Sequence, residues 1–301
     1  MSDFEHHLAD VNGVRLHYAT TGRGPLMMFV HGFPEFWYAW HRQLAEFGRD
    51  HHAVAPDMRG YNLSSKPEGL EPYAIGHLIE DLRALAEHLG HRRFTLCAHD
   101  WGGAVAWAFA LRHPDWLERL IIVNAPHPAV FHRELTANPA QQQASQYMLM
   151  FRTEGAEAML SADNFEALNA RILQPLVAAG HLTEADRKAY LEAWGQPGAL
   201  TGGLNYYRAA RVGPPSAEGE PARGIKDDAP AASGFVVHVP TLVIWGMRDV
   251  ALLPGNLDGL EEYVPDLTVR RIDDGTHWVI HERPDVVNRH IREFLAARPA
   301  R

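Results

Sequence analysis

The chain has a single cysteine, Cys97, among 301 residues, so no disulfide can close within it. It also lacks any apolar run near the ~18 residues that a bilayer-spanning helix needs. Positive charge is in deficit: 28 Lys and Arg stand against 37 Asp and Glu, for a net charge of -9. That balance argues against nucleic acid or an anionic membrane as the partner. The opening stretch Met1 to His7 is polar and acidic, without the basic and apolar regions of a secretory signal. A cytoplasmic protein is therefore the expectation. A metal framework is missing as well. Histidines number 19, but the pairs His6–His7 and His51–His52 have no companion Cys or carboxylate at ligand spacing, so no metal site is expected.

What is present suits a globular protein with a large core: 46% hydrophobic and 22% charged residues. Short apolar blocks at Leu26–Val30, His52–Ala55, Phe94–Ala98 and Leu120–Val123 have the length and double-sided hydrophobicity of strands in a parallel sheet. Between them, Ile75, Leu78, Ile79, Leu82, Leu85, Ala86 and Leu89 recur at helical spacing, with Gly90 placed to end the helix. Gly102 to His113 reads as a second helix, stopped by Pro114. This alternation predicts a doubly wound α/β sheet.

The rhythm stops at about Arg133. No strand block follows before Gly234, only helical stretches such as Glu184 to Glu192 and, after Arg211, a Gly/Pro/Ala-rich tract that reads as a loop. Strands resume at Val239–Trp245 and Leu267–Ile272, and a last amphipathic helix spans Pro284 to Ala297. The expected organisation is an α/β core over 1–132 and 235–301, interrupted by a helical lid over 133–234.

The segment Phe94 to Gly103 carries the chemistry. A strand leads into Ala98-His99-Asp100-Trp101-Gly102-Gly103, and a helix follows. Small residues two before, two after and three after Asp100 are what a nucleophile elbow needs, because strand and helix cross almost in contact there. A carboxylate at the centre changes the reaction. Already ionised at neutral pH, it can displace a leaving group from saturated carbon, and the helix N-terminus favours the anion. An aspartate here could simply cap the helix, but the small neighbours and the partners downstream favour a nucleophile.

Those partners follow in the order nucleophile, acid, histidine. Asp249 comes just after the strand ending at Trp245, and His277 lies on the loop after the next strand. His277 is the expected base and Asp249 its orienting acid; His281, four residues on, reads as part of the following turn. Two backbone N–H groups are expected to form an oxyanion hole, from Trp101 after the nucleophile and from Phe33 in the loop His31-Gly32-Phe33-Pro34. Cys97 reads as a small core residue. Ser64 and Ser65 lie in a loop with no elbow, so a serine nucleophile has no candidate.

Three motifs together, His31-Gly32-Phe33-Pro34-Glu35, Asp57-Met58-Arg59-Gly60-Tyr61 and His99-Asp100-Trp101-Gly102-Gly103, make the chain resemble the epoxide hydrolases of the α/β-hydrolase superfamily along nearly its whole length. The stretches Tyr147-Met148-Leu149-Met150-Phe151 and Leu204-Asn205-Tyr206-Tyr207-Arg208 look like the two lid motifs of that family. The resemblance implies that Tyr147 and Tyr207 hydrogen-bond the epoxide oxygen, that the Phe33–Pro34 bond is cis, and that Glu35, His99 and Trp101 help position water or substrate. It implies no cofactor. The expected partners are a small apolar epoxide and, at most, a second copy of the chain in a homodimer.

The chemistry agrees with that implication. An opening epoxide leaves an alkoxide that needs a proton donor, and acid assistance of this kind is worth ~10²–10⁴-fold. A departing halide needs only polarised N–H groups. Haloalkane dehalogenases share the aspartate–tryptophan elbow but often carry an Asn where Phe33 stands. Haloacetate dehalogenases have arginines where Trp101 and Ala104 stand, and a His-Trp pair where Met148 and Leu149 stand. A catalytically silent binding protein would usually have lost part of the triad.

Overall fold

The computed structural model describes residues 4–224 and 234–298. Eight strands form one sheet: β1 (Glu5–Val11), β2 (Val14–Thr21), β3 (Leu26–Val30), β4 (His52–Pro56), β5 (Phe94–His99), β6 (Leu117–Val123), β7 (Thr241–Gly246) and β8 (Leu267–Ile272). Their spatial order is β1-β2-β4-β3-β5-β6-β7-β8. The β1–β2 and β2–β4 pairs are antiparallel and all the others parallel. Every residue of β3, β5 and β7 is buried, as strands covered on both faces must be.

Two strands precede those legible as apolar blocks. β1 and β2 form a hairpin whose turn, Asn12-Gly13, holds both residues at positive φ (47° and 76°), the conformation for which Asn-Gly is suited. β6 starts at Leu117 rather than Leu120 because Phe94 and Leu117 already pair. β7 starts at Thr241 rather than Val239, since Pro240 has no N–H to give a ladder.

Helices α1 (His41–Phe47), α2 (Ile75–His88) and α3 (Asp100–Arg112) follow β3, β4 and β5. The C-terminus of α2 closes as the sequence suggests: Gly90 has φ 80°, its N–H donates to Glu87 O, and His91 N–H donates to Ala86 O. α3 is buried from Trp101 to Leu111 and packs against α2, β5 and β6.

Between β6 and β7 the described residues contain helices and no strand. They are α4 (Pro128–Ala137), α5 (Pro139–Ala144), α6 (Gln146–Phe151), α7 (Ala156–Leu168), α8 (Gln174–Ala178), α9 (Glu184–Trp194) and α10 (Ala199–Ala210). α7 leaves helical conformation over Ala162–Phe165, and a π-turn, Asn169–Leu173, links it to α8. Of the Gly/Pro/Ala tract, residues 225–233 lie outside the described residues; 212–224 hold only an isolated bridge, Gly213 with Arg223. α11 (Val279–Glu282) and α12 (Pro284–Ala297) end the fold, with α12 and α1 packed together.

The sheet order places the site. From β3 the chain steps to β4 on one side and then to β5 on the other, so β3 and β5 diverge at a topological switch point. Crevices form outside the carboxyl ends of strands at such points. The loops after β3, β5, β6, β7 and β8 all open there.

Candidate active site

Asp100 occupies the turn between β5 and α3 with φ 50°, a left-handed conformation costly for a residue with a Cβ. The neighbours that permit it are small because nothing larger fits. A Cβ on Gly102 would sit 2.3 Å from Val30 O, and one on Gly32 would sit 2.3 Å from the Asp100 side chain. The adjacent strand end contributes the first donor: Phe33 N–H donates to Asp100 Oδ1 at 2.8 Å. The Phe33–Pro34 bond is cis.

His277, on the loop after β8, faces the nucleophile. Its Nε2 lies 3.5 Å from Asp100 Oδ2, and its Nδ1 lies 2.7 Å from Asp249 Oδ2. Asp249 is itself fixed: Oδ1 accepts from the N–H groups of Ala251 and Leu252, both at 2.9 Å, and Oδ2 accepts from Asn124 Nδ2 at 2.8 Å. Asn124 stands at the end of β6, and its Oδ1 accepts from Gly246 N–H. Sequence reasoning passed over it, because its partners lie 122 and 125 positions away, on and after β7.

Electrostatics couple the three ionisable groups. Burial alone would push the Asp100 carboxyl up, but His277, with smaller help from His99 and the Phe33 N–H, holds it below its ordinary range. Asp249 is held low in the same way, burial being outweighed by His277 and by bonds from Leu252 and Asn124. The two carboxylates overcome burial at His277 and raise it well above the usual imidazole value.

Tyr147 on α6 and Tyr207 on α10 face this group from the helical segment, their rings 6.3 Å apart and steeply inclined. Tyr207 packs edge-on against Trp101 and Phe33. Burial, and then the Asp100 charge, push both phenols well above their ordinary pKa, so both stay protonated donors. The position of Tyr207 is set by close backbone approach: a Cβ on Gly202 would lie 2.2 Å from Gly60 O, and Tyr206 Oη donates to Arg59 O at 2.8 Å. Arg59 is held in turn by the buried Asp81 carboxylate. The motif around Gly60 is thus the seat of α10.

A buried polar cluster lies behind Pro34. Glu35 Oε1 accepts from Tyr190 Oη at 3.0 Å and meets His281 Nε2 at 2.6 Å; Oε2 meets His99 Nδ1 at 3.1 Å. His99 Nε2 donates to His277 O at 2.9 Å, so His99 ties the base loop to Glu35. Burial opposes ionisation of Glu35, but His281 and His99 hold its carboxyl far below the usual range. His281 is therefore a buried partner of Glu35 on α11, and not simply a turn residue; no local sequence signal announces a contact across 246 positions.

Asp100, Tyr147 and Tyr207 stand between two cavities. A small one of about 40 Å³ is walled by Ala104, Phe131, Met148 and Val212. A larger one of about 670 Å³ also takes in His277 and is walled largely by apolar side chains, among them Phe151, Leu168, Ile172 and Trp278. Glu35 and His99 line neither. Among the described residues no three His, Cys, Asp or Glu are grouped to hold a metal ion, and no helix is long and apolar enough to cross a membrane.

The α/β hydrolase fold family model matches residues 25–284. The chain is 37% identical to a Xenopus tropicalis protein named epoxide hydrolase 3, over 94% of this chain and 75% of that protein. It is 38% identical to the AB hydrolase superfamily protein YfhM of Bacillus subtilis, over 95% of this chain and 96% of that protein. Among solved structures, the Bacillus megaterium epoxide hydrolase in complex with an inhibitor matches with a TM-score of 0.90 at 42% identity, covering 96% of this chain and 100% of that one.

Proposed function

The chain belongs to the α/β-hydrolase fold family and is an epoxide hydrolase; we propose that it opens its substrate to a vicinal diol through an ester on Asp100. Phe33 N–H already occupies Oδ1, so Oδ2 is the oxygen that attacks an epoxide carbon. As that C–O bond forms, the ring C–O bond breaks, and Tyr147 and Tyr207 donate to the departing oxygen. The ester carbonyl that results keeps Oδ1 beside Phe33 N–H, with Trp101 N–H as the second donor of the hole.

Esterification removes the charge of Asp100, one of the groups that hold His277 high. The His277 imidazolium, released from that partner, gives its proton by way of the phenols to the new alkoxide and, kept oriented by Asp249, then takes a proton from water as the water attacks Asp100 Cγ. Collapse of the tetrahedral intermediate passes its hydroxyl proton to the leaving oxygen, returns the Asp100 carboxylate beside a protonated His277 and releases the diol. In this reading Glu35 and His99 are positioning residues: Glu35 holds His99, which holds the backbone of His277 and through it the base that activates the water. Helices α4–α10, within 128–210, serve as the lid that carries the two phenols. Work in the cytoplasm is consistent with a lone, buried Cys97 thiol.

The observation that carries this reading is the pair of protonated phenols opposite an ionised carboxylate. A halide would need no such pair, and the Phe33 side chain supplies no halide donor. The test is a parallel assay of styrene oxide-like epoxides, haloalkanes and haloacetates. Turnover confined to the epoxides is expected; turnover of a halide substrate alone would overturn the proposal.

A further inference from the structure

The large cavity holds three charged side chains: Asp100 and His277, which belong to the reacting centre, and Arg171. Arg171 sits on the π-turn Asn169–Leu173 and is exposed. It has no ion-pair or hydrogen-bond partner among the described residues, unlike Arg152, Arg187 and Arg208, each of which meets a glutamate. Glu166, five residues before it, is bonded instead to Asn169 and Gln174. The Arg171 charge reaches into the site, where it is felt at Tyr147.

Around it the cavity rim is apolar. Met150, Met159 and Val250 line the cavity and are exposed by 36%, 41% and 74%. Exposed apolar side chains gathered at one opening mark a surface that meets an apolar ligand. A volume of this size suits a drug-sized ligand, which apolar walls bind but do not orient; a few polar groups do that. The chain's net charge of -9 repels anions at long range, which makes one unpaired guanidinium at this mouth the local exception. A planar carboxylate is its natural partner, held by two parallel N–H donors.

We propose that Arg171 selects epoxides whose apolar arm ends in a carboxylate, with the arm lying in the large cavity and the carboxylate at the mouth. The inference rests on the epoxide hydrolase reading and adds the end of the substrate that the triad does not touch. Arg171 forms no hydrogen bond or ion pair with Asp100, His277 or either phenol, so its main effect falls on KM rather than on kcat.

The test uses matched terminal epoxides with arms of graded length, ending in either a carboxylate or a primary amide. Wild-type enzyme is compared with Arg171→Gln and Arg171→Glu. At one arm length the wild type is expected to favour the carboxylate in kcat/KM by about tenfold, the scale of one hydrogen bond to a charged group. Arg171→Gln should bring that ratio near one, and Arg171→Glu should push it below one. Equal ratios in all three proteins, with the amides turned over normally, would show a solvated surface charge and overturn this inference while leaving the reaction class intact. Failure of wild-type enzyme to open any member of the series would instead overturn the epoxide hydrolase reading, and this inference with it.

Discussion

Nδ1 of His277 lies 2.7 Å from Oδ2 of Asp249, and that contact sets both the tautomer of the base and the pH response of the site. The folded-state pKa of His277 is raised, so its contribution to stability is complete below the unfolded imidazole value of ~6.5 and lost as pH rises through the folded value. Asp249 is lowered; its contribution is complete above the unfolded value of ~3.9 and lost as pH falls through the folded one. The melting-temperature gap between wild type and Asp249→Asn should therefore be widest from about pH 4 to 6.5 and narrow on the alkaline side. A gap that is flat across pH would mean that the pair is not ionic.

Asp100 supplies the second charge on the imidazole. Asp100→Asn keeps the shape of the site but removes that charge, as the ester would. The His277 pKa, read from its ring protons by NMR titration, should fall in this variant while staying above that of Asp249→Asn, because Asp249 is the larger raising influence. An unchanged value in Asp100→Asn would remove the proposed switch from resting cation to base.

Asp100→Ala should abolish turnover and leave the melting temperature within a few degrees, since no other nucleophile stands in the elbow. Retention of more than a few per cent of activity would refute its role. Tyr147→Phe and Tyr207→Phe each delete one donor and should slow ring opening in single-turnover experiments, the double variant losing roughly 10²–10⁴-fold. Ester formation at the wild-type rate in the double variant would reduce both residues to packing.

The lid contact makes a separate prediction. Gly202→Ala forces a methyl group to within 2.2 Å of Gly60 O, so α10 has to move and takes Tyr207 with it. Overpacking of this kind costs about 1–3 kcal/mol. The expected result is a lower melting temperature together with slower ring opening. Normal kinetics would show that the position of Tyr207 does not depend on the seat at Gly60.

The features legible in the sequence are those with short-range causes. β3 and β5 are written as apolar blocks because both of their faces are covered. The elbow is written as small residues because strand and helix touch there, which Gly102 against Val30 O makes concrete. The order Asp100, Asp249, His277 follows from strands that all end on one side of the sheet. What escaped has long-range causes. Asn124 matters only because β6 lies beside β7, and His281 only because α11 folds back onto Glu35. The β1–β2 hairpin escaped as well: its Asn12-Gly13 turn was passed over, and β1 is mostly exposed and offers no apolar block. Arg171 looks like any other arginine until the π-turn sets it at the mouth of the large cavity.

His277→Gln separates the two chemical steps and the rival reactions in one experiment. Attack by Asp100 needs no base, because its carboxylate is already ionised, so the first step should proceed. Hydrolysis of the ester does need one, so the covalent adduct should accumulate and be visible by intact-protein mass spectrometry. Opening an epoxide expels nothing, and the adduct gains the full mass of the substrate. Displacing a halide expels the halogen, and the adduct gains only the substrate less hydrogen halide. A full-mass adduct on the peptide containing Asp100 is the expected result. An adduct from a haloalkane or haloacetate but from no epoxide would replace the reaction while keeping the nucleophile. The absence of any adduct would mean that His277 is required before the ester forms, against a geometry in which Nε2 faces Asp100 Oδ2 at 3.5 Å without holding its attacking oxygen in a close hydrogen bond.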